Sequence, residues 1–109
     1  MFGLFGKKKK KLGKLKDRFS NPIHLEDLEA RTIAGAYIHL IGLVDWGLKD
    51  EPKYRFLEND TVLEIEKRAI GKLIGEKGSV IISIKDKFGS DKDEPFQIRE
   101  WKKEKLNQI

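Results

Sequence analysis

Residues 65–84 read IEKRAIGKLIGEKGSVIISI, and their spacing decides the fold. Arg68–Ile74 has room for only about two helical turns. It is followed by Gly75-Glu76-Lys77-Gly78, and then by Val80, Ile81, Ile84 and Phe88 on one side of a second helix over 79–88. Ser79 is placed to cap that helix, and Gly89 to close it as a C′ glycine. Two short helices joined by Gly-x-x-Gly bring unpaired backbone N–H groups to one spot, which suits a phosphate. A β-carbon at Gly75 or Gly78 would obstruct a sugar-phosphate backbone and penalise positive φ. Lys77 adds a charge beside the amides.

Upstream, Lys53–Leu57 and Thr61–Glu66 read as strands with turn residues Glu58-Asn59-Asp60 between them, which predicts a hairpin. Leu63 and Ile65 share a face with Thr61. Before the hairpin, Asn21-Pro22 reads as a helix start, with Glu26, Asp27 and Glu29 at its positive end. Ile33, Tyr37, Leu40, Ile41, Val44 and Leu48 recur at helical spacing, widened by Ala30, Ala34 and Ile38, and Gly47 and Pro52 end the helix. Downstream, the polar stretch Ser90–Pro95 leads to a last strand over Phe96–Trp101. The expected order is α-β-β-α-α-β: an α+β domain over 21–101 with a three-stranded sheet and helices on one face. Residues 1–20 are read as a flexible basic arm and 102–109 as a tail.

With that frame in place, the segment 65–84 resembles the core of a K-homology (KH) domain, whose signature I-G-x-x-G-x-x-I matches Ile74 to Ile81. The helix and strand before it suit the type II arrangement and extend the likeness to most of residues 22–101. The resemblance implies that Gly75, Glu76, Lys77 and Gly78 clamp the backbone of about four unpaired nucleotides. It makes Ile70, Ile74 and Ile81 the groove floor or the core beneath it, with Lys72 and Arg68 extending the site toward further phosphates. Glu76 departs from the family, which carries a basic or small residue there, and a carboxylate subtracts from what Lys77 adds. The acidic stretch 90–95 is a second departure. No aromatic residue interleaves with the loop in sequence, which favours backbone clamping over stacking.

Composition bounds the rest. A chain of 109 residues builds one core. Without cysteine there are no thiolate metal sites, disulfides or thiol catalysis, and two histidines make no metal centre alone. Neither cofactor nor metal is expected, and a reducing, cytoplasmic setting fits. The net charge is +5, but it sits in one place. Lys7, Lys8, Lys9, Lys10, Lys11, Lys14, Lys16 and Arg18 against Asp17 give residues 1–18 a charge of +7, and fifteen basic against seventeen acidic residues leave −2 for the remainder. Phe2, Leu4 and Phe5 precede the lysines, the reverse of a secretory signal. The longest uncharged apolar run, Thr32–Val44, has 13 residues, short of the roughly 20 a membrane span needs.

The arm has three readings: a solubilising tail, an electrostatic grip on RNA, or attachment to anionic lipid. His39 reads as a core histidine and His24 as solvated. Glu64 and Glu66 share a strand face, but nothing converges on them as acid–base partners. Asp91, Asp93 and Glu94 lack the rest of a calcium loop, and Gly71–Lys77 lacks the ending of a P-loop. The expectation is a binder rather than an enzyme, holding single-stranded RNA, or single-stranded DNA, through the Gly75–Gly78 loop with help from the arm. The alternative is a KH-like protein-interaction or membrane-peripheral module that binds no nucleic acid.

Overall fold

The structure, a computed structural model, describes residues 9–90 and 94–102. Phe2, Leu4, Phe5, Lys7 and Lys8 of the expected arm, Asp91 and Asp93 of the polar stretch, and positions 103–109 of the expected tail lie outside the described residues. The strands are β1 (Lys11–Lys16), β2 (Pro22–His24), β3 (Tyr54–Leu57), β4 (Val62–Ile65) and β5 (Gln97–Glu100). The α-helices are α1 (Ile33–Leu43), α2 (Lys67–Ile74) and α3 (Ser79–Phe88), and Leu25–Asp27 and Glu76–Gly78 form 3₁₀ turns.

From α1 to β5 the element order is the expected one. β4 is central, antiparallel to β3 with Tyr54 opposite Ile65 and Leu57 opposite Val62, and parallel to β5 with Val62 beside Gln97. The result is a small α+β fold on a mixed three-stranded sheet. Asn59 and Asp60, which tolerate left-handed backbone, turn the β3–β4 hairpin together with Glu58. Leu63 and Ile65 put one face of β4 into a core shared with Leu40 of α1, Leu73 of α2 and Ile84 of α3.

Tyr37 ties these layers together. It is fully buried, its ring lies parallel to that of Phe96 at 5.4 Å, and its hydroxyl donates to the Leu73 carbonyl at 3.0 Å. Leu73 is in the last turn of α2, where carbonyls run out of intrahelical donors. Burial pushes the Tyr37 phenol pKa up, so the group stays a donor.

Part of the segment expected as a flexible arm belongs to the fold. Residues 9–20 are not an arm outside the domain: β1 pairs antiparallel with β2, Lys11 opposite His24 and Lys16 opposite Pro22. Leu12 and Leu15 are only 1% and 5% exposed. The Lys10 carbonyl accepts from the Leu25 amide at 2.7 Å. The Lys10 amide donates to Glu26 Oε1 at 2.9 Å, which holds that carboxyl below its usual range.

The bounds of α1 also differ from expectation. Asn21-Pro22 opens a strand, where proline is tolerated at the first position. The helix begins instead after Thr32, whose Oγ1 accepts from the Gly35 amide at 3.0 Å. It ends at Leu43 rather than near Gly47, because Val44 bridges to Asp17 and the Asp45 amide donates to the Lys16 carbonyl at 2.9 Å. Pairing with β1 thus outcompetes helical propagation, and Leu48 is left exposed, as is Ile38 on the outer side of the helix. At α3 the cap is Gly78 and Ser79 is already helical, while Gly89 is extended rather than left-handed.

Two stability measurements follow. Leu15→Ala should cost about 2–5 kcal/mol in urea unfolding, as for a buried leucine, where an arm residue would cost nothing. Tyr37→Phe should cost about 1–3 kcal/mol, since it keeps the stack on Phe96 but leaves the Leu73 carbonyl without its donor.

Candidate nucleic-acid interface

The turn between α2 and α3 is built around the backbone of Gly75. Its φ of 81° and ψ of 167° lie where essentially only glycine goes. A β-carbon there would stand 2.6 Å from Val80 Cγ2 and 2.8 Å from the Val80 nitrogen, so α3 packs directly on the glycine. Gly78 is different: it is left-handed, but a β-carbon there would have Ile82 Cδ1 as its nearest neighbour, at an ordinary 3.6 Å. Between them Lys77 is left-handed too (φ 55°, ψ 27°), an uncommon conformation for lysine that leaves it and Glu76 exposed. The amides of Gly78 and Ser79 donate to the carbonyls of Gly75 and Glu76, turning those oxygens inward. The amides of Glu76 and Lys77 precede the first of these bonds and, among the described residues, have no backbone acceptor.

The opposite wall comes from β1. Gly13, at φ 58°, lies where the β1–β2 register shifts, and its missing β-carbon would sit 3.2 Å from the same Val80 Cγ2. The bulge brings both Leu12 and Leu15 inward although they are three residues apart. Lys14 and Lys16, on either side of Leu15, line a cleft of about 730 Å³. Gly71, Lys72, Gly75, Glu76 and Ser79 line it from the α2–α3 side, and Ser20, Val44 and Asp45 complete it. Its lining thus includes three lysines, Lys14, Lys16 and Lys72, and two acids, Asp45 and Glu76, whereas Lys77 and Gly78 of the expected clamp are not part of it.

The structure therefore joins two features the sequence kept apart, the glycine-bracketed turn and part of the lysine run. Other expected site residues fall elsewhere. Ile70, Ile74 and Ile81 are half-buried and none lines this cleft. The buried positions beneath are Ala69, Leu73, Val80 and Ile84. Arg68 turns away: its Nε donates to Glu66 Oε1 at 3.0 Å, its Nη2 to the Asp50 carbonyl, and its guanidinium lies over the Trp46 ring at 5.9 Å. Lys9 lies beside β2, Lys10 bonds Leu25 and Glu26, Lys11 stands opposite His24, and Arg18 is exposed in the β1–β2 turn.

An aromatic residue does lie beside the site, contrary to the sequence order. Trp46, held by an indole N–H to Ile41 carbonyl bond at 3.0 Å, has Lys72 Nζ 5.5 Å from its ring centroid. Gly13 carried a signal that marks a bulge, an isolated glycine among strand residues. Trp46 carried none, since only the fold brings it to α2. The histidines lie away from the cleft: His39 Nδ1 accepts from the Glu29 amide at 2.9 Å, while the imidazole of His24 lies 3.6 Å from Asp27 Oδ2, the same oxygen that accepts from the His24 backbone amide at 2.9 Å.

The glycines should rank by what their β-carbons would meet. Thermal or urea unfolding should show Gly75→Ala as the most damaging, about 3 kcal/mol or more. Gly13→Ala should be intermediate, and Gly78→Ala cost about 1–2 kcal/mol from its backbone angle alone.

In comparisons with known proteins, no family model, no curated protein and no solved structure matches the chain.

Proposed function

We propose that this chain is a KH-like binder of single-stranded nucleic acid, RNA in the first place, working in the cytoplasm through the cleft between β1 and the Gly75–Gly78 turn. One observation carries the reading: Gly75 and Glu76 of the glycine-bracketed turn, with Ser79 after it, line the same cleft as Lys14, Lys16 and Lys72, and Lys77 stands exposed beside them. The I-G-x-x-G-x-x-I pattern, in a strand–helix–turn–helix setting within an α+β fold, supports it. A phosphate in the cleft would meet dipoles and ammonium groups, opposed by Glu76 and Asp45. Clamping of this kind engages the sugar-phosphate backbone, so sequence selectivity is low, and competition between matched RNA and DNA oligomers measures the share of the 2′-hydroxyl.

The rival reading, a protein-interaction or membrane-peripheral module, draws on that near-balance of charge and on Ile82, which is exposed next to Gly78. No helix among the described residues is long and apolar enough to cross a membrane. The two readings part on oligonucleotide affinity. Fluorescence anisotropy with a short labelled RNA should show Glu76→Gln binding more tightly than the unaltered chain and Lys77→Gln more weakly. Each change should be up to about fivefold, since an exposed charge contact is worth about 0.2–1 kcal/mol. Equal affinity for all three proteins, or no binding by any, would remove the turn as the site.

A further inference from the structure

We infer that the β1–β2 hairpin is a second jaw for a single strand of nucleic acid, with Lys14 and Lys16 on its phosphates and Phe19 stacked on a base. The inference rests on the function proposed above and adds a contact that the Gly-x-x-Gly pattern does not assign.

Phe19 is 83% exposed, yet its support is rigid. The Asp17 carboxylate accepts from the amides of Phe19 and Asn21 at 2.8 and 3.0 Å, and the Asp17 amide donates to the Asn21 carbonyl at 2.9 Å. Asp17 also bridges to Val44, and Lys16 accepts from Asp45, so the tip is fixed to the segment that forms the cleft wall. The residue after Phe19, left-handed Ser20 (φ 65°), is itself in that wall. A phenyl ring is thus kept in water, on a fixed mount, next to the cleft and one residue from Arg18.

Weak charge beside an exposed ring favours a nucleic-acid strand as the occupant. Three ammonium groups against two carboxylates attract an anion only weakly, so phosphates alone would be released at modest salt. A ring stacked on a base adds affinity that salt does not screen and accepts any base, because every base has a π-face. Lysines lining a concave cleft, with an exposed aromatic one residue from its wall, suit a strand whose phosphates enter while a base turns out.

The test measures binding of the full chain to a short uridine oligomer and to its abasic counterpart across a salt series. Phe19→Ala should weaken binding of the base-bearing strand by about 5- to 100-fold, leave the abasic strand unaffected and leave the salt slope unchanged. Phe19→Trp should retain affinity. Lys14→Gln and Lys16→Gln should each lower the slope of log K against log salt by about 0.7. Unchanged affinity in Phe19→Ala, alongside weakening in Lys77→Gln, would overturn the hairpin and leave the turn standing. Absence of oligomer binding by the unaltered chain would overturn both. Phe19→Ala that lost co-sedimentation with phosphatidylserine vesicles while keeping its RNA affinity would assign the tip to a membrane surface and overturn the inference.

Discussion

A single methyl group organises the candidate site. Val80 Cγ2 is the nearest atom both to where a β-carbon of Gly75 would stand and to where one of Gly13 would stand. The α2–α3 turn and the β1 bulge therefore converge on one fully buried side chain of α3. Each approach requires glycine for two reasons at once, a positive φ and the lack of room for a side chain. Because both backbones rest on the same residue, the walls of the cleft are held in register with each other. Moving either wall would open a gap at Val80 or force an overlap, and close-packed interiors resist both.

The same helix pair is anchored from behind by Tyr37. Its hydroxyl satisfies a carbonyl at the end of α2, two residues before Gly75, while its ring stacks on Phe96 just ahead of β5. The phenol thus links α1, the start of the last strand and the start of the turn through one buried side chain. Hydrogen bonding at a helix end and packing at the sheet are supplied together, and the turn is left to present its exposed residues. Trp46 takes a comparable role on the outer side, gathering Arg68 and Lys72 from α2 against the segment after α1.

Electrostatics at the cleft is local. The chain's net positive charge comes from residues 1–18, and the structure puts two of those lysines, Lys14 and Lys16, into the cleft wall. The rest of the chain is slightly acidic and offers no general attraction for a polyanion. The cleft sets three lysines and the glycine-bracketed turn around one space, with Glu76 and Asp45 limiting the net field.

Residues close together in the chain declared their own structure. The β3–β4 hairpin follows from two short strand patterns around Glu58-Asn59-Asp60, and α2, the turn and α3 follow from helical spacing interrupted by Gly75 and Gly78. These are short-range choices, made by backbone propensity and side-chain period. The N-terminal strand escaped because Leu12 and Leu15, three residues apart across a bulge, break the period of 2 that marks a strand, and the lysines around them read as solvated chain. The end of α1 escaped because its competitor is Lys16, far away in sequence. Arg68 and Ile81 shared a motif with Lys72 and Gly75, but whether a side chain faces the cleft, the core or Trp46 depends on what packs against α2 and α3. The pattern of the turn was thus present in the residues themselves, whereas the cleft came into being only when β1 and Val44–Asp45 closed over that turn through contacts no local pattern encodes.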